Sequence, residues 1–116
     1  MPSIDIARAL QALEGNDELL MDLASMFVED APDLLHQLKR AVNENDSYQA
    51  RSAVHSLKGL VSTFFATESV AIAQRLEDLA AKGDLENFRN GELQLLEERV
   101  NSVADDFRSR GWVNRI

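Results

Sequence analysis

Apolar residues recur every three or four positions along almost the whole of this chain, and strand-like alternation nowhere outlasts three or four residues. That period commits a chain to amphipathic helices, each of which must bury one face. Only 5 Gly and 2 Pro punctuate the pattern, mostly at its boundaries. A short first helix fits Ile4 to Glu14, with Ser3 as N-cap and Gly15 as terminator. Asn16 caps a longer second helix carrying Leu20, Leu23, Phe27, Leu34, Leu38 and Val42. Pro32 removes a backbone donor there, which predicts a kink or short break near Asp30.

The turn Asn43-Glu44-Asn45-Asp46 leads to a third helix, for which Asp46 and Gln49 form a capping box. That helix is expected to run to about Phe65 or Ala66. Thr67 then caps a fourth helix with Val70, Ala73, Leu76, Leu79 and Ala80 on its apolar side, ended by Gly83. The last helix begins near Asp84, carries Phe88, Leu93, Leu96, Val100, Val103 and Phe107, and stops at Gly111, with Asn90-Gly91 breaking its first turns. Four long helices and one short one, joined by a few residues each, predict an all-α fold: an antiparallel up-down-up-down four-helix bundle with a short extra N-terminal helix. No internal repeat, low-complexity tract or linker divides residues 1–116, so one domain is expected.

Composition narrows the function classes. The chain has no cysteine, which removes disulfides, thiolate metal sites and cysteine nucleophiles and fits a reducing compartment. A net charge of −8 argues against nucleic acid as a partner. No apolar run reaches the roughly 18 residues of a membrane span, and Met-Pro-Ser-Ile-Asp lacks the features of a secretory signal. The expectation is a cytoplasmic protein with no membrane contact. The initial Met and compact length suggest a free-standing chain.

The third helix holds the chemistry. At about 100° per residue, Ala50, Ala53, Val54, Leu57, Leu60, Val61 and Phe64 form its core stripe. His55 lies almost opposite, with Tyr48, Arg51, Ser52, Lys58, Gly59, Ser62 and Ala66 around it. A histidine is the side chain whose ordinary pKa lies near neutrality, so its neutral ring is an available nucleophile. Lys58 at i+3 shares the face and Gly59 at i+4 leaves it bare. Glycine inside a helix costs about 1 kcal/mol against alanine, so access to the histidine is a better reason for it than helix formation. A lone exposed histidine is most often just a wet surface residue, and His36 reads that way; the conjunction around His55 is what sets it apart. A di-iron bundle would need Glu-x-x-His pairs, but Ser52 and Asp33 stand three residues before the two histidines.

Ala53-Val54-His55-Ser56-Leu57-Lys58-Gly59 closely resembles the motif of histidine-containing phosphotransfer domains of multistep phosphorelays. Phe27 to Leu35 is similar to the family's segment before the histidine helix, and Arg75 to Asp84 to its fourth-helix ending. The resemblance covers most of residues 16 to 110. It implies that His55 accepts a phosphoryl group from the aspartyl phosphate of one receiver domain and passes it to another. It further implies that Lys58 offsets charge on the phosphoryl oxygens, with Arg51 as a weaker second cation, and that Gly59 keeps the approach open. Tyr48, Ser62 and Ala66 are expected to join Gly59 and Arg51 in docking. The implied partners are response-regulator receivers and a hybrid sensor kinase. No cofactor or metal is expected on this chain, the metal ion belonging to the receiver. With no phosphate-binding glycine loop, the chain reads as a monomeric phosphocarrier without kinase activity. Two alternatives stay open: a helical interaction module that binds receivers without transfer, and the phosphoacceptor domain of a chemotaxis-type kinase. The sequence departs from the family pattern at Leu60-Val61, where small or polar residues are common, and at Phe65-Ala66, where Gly-Ala commonly closes the helix.

Overall fold

The computed structural model describes residues 4–88 and 91–113. Within them lie α1 (Ile6–Ala12), α2 (Asp17–Asn43), α3 (Ser47–Thr63), α4 (Thr67–Ala81), α5 (Leu85–Phe88) and α6 (Glu92–Ser109), with no strand among the described residues. Helices α2, α3, α4 and α6 touch in a closed ring, α2 against α3 and α6, and α4 against α3 and α6. The core they enclose is apolar apart from the buried Ser69, with Leu20, Phe27, Leu38, Leu57, Leu76, Leu96 and Phe107 fully buried.

The helix starts follow from side-chain oxygens that satisfy otherwise unpaired backbone donors. Asn16 accepts from the Leu19 N–H at 3.0 Å, and Asp46 from the Gln49 N–H at 3.1 Å. Only half of the expected capping box forms, because the Asp46 N–H donates instead to the Ala41 carbonyl, 2.8 Å away. Asp5 caps α1 by accepting from the Arg8 N–H, where Ser3 had been expected; Ser3 itself lies outside the described residues. Thr67 is the first residue of α4 rather than its cap. Its hydroxyl donates backward to the Phe65 carbonyl at 3.2 Å, and Ala66 occupies the cap position with no side-chain bond to offer.

Pro32 does not interrupt α2, which runs unbroken over 27 residues. A proline inside a helix costs about 3 kcal/mol. Here Phe27, Ala31, Leu35 and Leu38 stay buried in helical register on both sides of it, and that packing holds the helix together. The expected break in the last helical segment does occur: α5 ends at Phe88, and α6 begins after Gly91, whose φ of +96° suits glycine alone. Asn90, the other half of that expectation, lies outside the described residues.

Helix α3 stops at Thr63, earlier than expected. Phe65 adopts a left-handed conformation with φ +54°, which costs a non-glycine residue about 1–2 kcal/mol. The Phe65 N–H donates to the Ser62 carbonyl and the Ala66 N–H to the Val61 carbonyl, the pairing that closes a helix through a left-handed residue. Packing compensates for the strain. The ring is half-buried against the core, and the Arg8 guanidinium lies over it, 4.9 Å from its centre. The Asp5 N–H donates to the Phe64 carbonyl at 3.0 Å, so the start of α1 is fastened to the end of α3.

Phe27, Phe64 and Phe107 meet with ring centres 4.6–5.9 Å apart, and Trp112 stacks on Phe107 at 5.8 Å. These contacts join α2, the end of α3 and α6 at one point. Phe107→Ala should therefore cost about 3–5 kcal/mol, read as a lower urea midpoint at unchanged slope. A loss below about 1 kcal/mol would contradict the aromatic junction.

Candidate functional site

The core stripe of α3 emerges as expected at Ala50, Ala53, Val54, Leu57, Val61 and Phe64, all buried. Leu60 is the exception. It is half-buried and lines a surface groove of about 400 Å³ with Asp30, Asp33, Leu34, Gln37 and Ser56. Because the stripe faces inward, His55 faces out, with 65% of its side chain exposed.

Beyond α3, the key contact comes from α4. The Glu77 carboxylate reaches both functional side chains: Oε2 lies 2.8 Å from His55 Nδ1, and Oε1 lies 2.6 Å from Lys58 Nζ. An ionised carboxylate can only accept, so His55 Nδ1 carries the proton and donates. Nε2, the other ring nitrogen, is then left with its lone pair free for nucleophilic attack. Glu77 is itself largely covered, with 13% of its side chain exposed. Oε1 faces the Lys58 ammonium in a charge-assisted contact. The Lys58 ammonium beside it, helped by His55, holds the Glu77 carboxyl below the usual carboxylate range against the opposing pull of burial. Glu77 therefore stays ionised at neutral pH and keeps the ring tautomer defined.

Lys58 is half-buried, and its Nζ also donates to Gln74 Oε1 at 3.0 Å. Gln74 in turn donates from Nε2 to Asp78 Oδ1 at 3.0 Å. Gly59 is exposed, and a Cβ built on it would meet nothing within 4 Å. No packing requirement of the fold accounts for glycine at this position.

Tyr48, 78% exposed, and Arg51 line a second groove of about 330 Å³ together with Ser52, His55, Ser56 and Glu77. The histidine lines this groove, and Ser56 beside it is shared with the groove at Leu60. Ser62 is exposed, but its hydroxyl donates back to the Lys58 carbonyl at 2.7 Å within the helix. Ala66 corrects the expectation for it. It is 1% exposed and lies past the end of α3, because the chain leaves helical geometry at Phe65, so it takes no part in the outward face. His36 is an exposed residue of α2. Among the described residues, no group of three His, Cys, Asp or Glu side chains converges to hold a metal ion. No helix among them is long and apolar enough to cross a membrane.

Sequence reasoning missed Glu77 and Gln74. Each stands in α4 as an ordinary polar residue, separated from His55 by the α3–α4 turn. The available signal was their spacing: Gln74 and Asp78 lie four apart, and Glu77 follows Gln74 by three, so all share one helical face.

The family model for the Hpt domain matches residues 22–109. Among solved structures, the chain is similar to histidine-containing phosphotransfer protein B (HptB) from Pseudomonas aeruginosa PAO1. The TM-score is 0.83 and the identity 26%, over 94% of each chain. No curated protein matches. A family match that spans most of the chain and contains the whole of the histidine helix, together with a fold that agrees almost end to end, makes this protein a member of the Hpt domain family, the histidine phosphocarriers of two-component phosphorelays.

Proposed function

We propose that this protein relays a phosphoryl group between aspartate residues of response-regulator receiver domains through Nε2 of His55. One observation carries the reading: an exposed imidazole whose Nδ1–H is held by a covered, ionised carboxylate, which leaves Nε2 as the nucleophile. In the forward step Nε2 attacks phosphorus in line. The P–O bond to the donor aspartate breaks, its electron pair stays on that carboxylate, and an N–P bond forms. The ring becomes a phosphorylated imidazolium, and Glu77 faces its Nδ1–H, where the new positive charge is shared. Transfer to the second receiver reverses these steps.

Lys58 offsets charge on the phosphoryl oxygens and Arg51 adds a second cation along the groove. Charge neutralisation at the aspartate end is left to the receiver's own metal ion and acidic pocket, so this chain is assigned no cofactor. Gly59, Tyr48, Arg51 and the exposed part of Ser62 are the docking residues of this reading. It includes a monomeric, cytoplasmic carrier without kinase activity, fed by a hybrid sensor kinase. The four long helices are read as an antiparallel up-down-up-down bundle, because the α2–α3 and α3–α4 connections span only residues 44–46 and 64–66.

Incubation with a receiver carrying labelled phosphate tests the reading directly. Label is expected on the intact chain and absent from His55→Gln; label retained by the variant would remove His55 from the role, and none on the intact chain would leave a receiver-binding module. Lys58→Ala should slow transfer roughly tenfold, about 1.4 kcal/mol of barrier, with helix content by circular dichroism unchanged. An unaltered rate would take Lys58 out of the step. Gly59→Ala should raise stability by about 0.5–1 kcal/mol, since the added methyl meets only solvent. Gly59→Leu should fold as well and bind receivers more weakly; equal affinity would refute the open-approach role.

A further inference from the structure

The polar chain on α4 does not end at the two functional side chains. Asp78 holds Gln74, Gln74 holds Lys58, Lys58 pairs with Glu77, and Glu77 holds His55. Within it the Gln74 amide has one workable orientation. Its oxygen faces the Lys58 ammonium and its nitrogen faces the Asp78 carboxylate. The flipped amide would set donor against donor and acceptor against acceptor. Asp78, one helical turn from Gln74, therefore locks the amide so that its acceptor always faces Lys58.

We propose that Gln74 is a positioning residue that parks the Lys58 ammonium away from the phosphoryl group and so acts as a brake on transfer. This rests on the reading of His55 and Lys58 above. The Lys58 ammonium and the His55 ring contact the two oxygens of one carboxylate, so Glu77 bridges them. A phosphoryl group entering at Nε2 competes for that ammonium with two acceptors already in place, Glu77 and Gln74. Glu77 cannot be spared, because it fixes the ring tautomer. Gln74 touches neither the imidazole nor the incoming group in these contacts, and its bond to Lys58 has to be given up whenever Lys58 swings toward the phosphoryl oxygens. The flexible four-carbon stem of lysine permits that swing, and the exposed position of Gln74 keeps the cost small. Transfer in both directions is limited by how often the ammonium is released.

The test uses phosphoramidate as donor, so that receiver docking plays no part. Its P–N bond breaks, ammonia leaves, and phosphorus bonds to Nε2 of His55; the rate is followed by phosphorus NMR. Gln74→Leu should react faster by roughly threefold, the factor for one exposed charge-assisted hydrogen bond. Gln74→Glu, which offers Lys58 a charged acceptor, should react more slowly by a similar factor. Both effects should vanish in a Lys58→Ala background. A purely structural role for Gln74 would slow both variants, whether or not Lys58 is present. Unchanged or equally slowed rates in the two variants, or effects that survive Lys58→Ala, would overturn the brake while leaving phosphotransfer intact. A wild-type protein that phosphoramidate does not phosphorylate at all would instead overturn the nucleophile reading on which the brake depends.

Discussion

The inward commitment of one face of α3 is the constraint on which everything else in this molecule depends. Val54, Leu57, Val61 and Phe64 are sealed in the core, and a helix that advances about 100° per residue then has no choice about where His55 goes. The His55 ring is exposed because its neighbours along the stripe are buried. Lys58 and Gly59 share its side by the same arithmetic. The aromatic junction of Phe27, Phe64 and Phe107 anchors the end of that helix, since Phe64, the residue that caps α3, is a member of the cluster.

An outward-facing histidine is not yet a phosphoacceptor. A free imidazole exchanges its proton between two nitrogens, and either may lead. The Glu77 carboxylate on the neighbouring helix removes that ambiguity by accepting from the Nδ1–H. Its partial burial pushes the carboxyl pKa up; the ammonium of Lys58 outweighs that effect and brings it below the usual carboxylate range. The three groups are thus mutually dependent. Lys58 lowers the pKa of the Glu77 carboxyl, and Glu77 in turn orients the His55 ring. Lys58 is itself engaged by two acceptors of α4, Glu77 and Gln74.

Strain has been placed where the fold can carry it. Phe65 holds a left-handed conformation at which a glycine would sit without cost, and it is covered by Arg8 from α1 and by the core beneath it. The short first helix therefore serves as a clasp over the end of the histidine helix. Pro32 is a second tolerated fault, kept helical by the buried residues on either side of it. The segment from Tyr48 to Ser62, which bears His55, Lys58 and Gly59, is regular helix throughout.

Periodicity alone determined the helical class, the inward stripe of α3, the exposure of His55 and the caps at Asn16 and Asp46, because each of these depends on residues within a turn or two of one another. Local pattern also suggested a break at Pro32, which core packing on both sides prevented, and a side-chain cap at Thr67 and an outward Ala66, which the left-handed turn at Phe65 displaced. Glu77 and Gln74 were invisible for a related reason. A hydrogen bond between helices depends on their relative rotation and offset, which the core packing of the assembled bundle decides. The residue types on each face were therefore written in the chain, while the pairing of imidazole, ammonium and carboxylate across α3 and α4 came only with the tertiary structure.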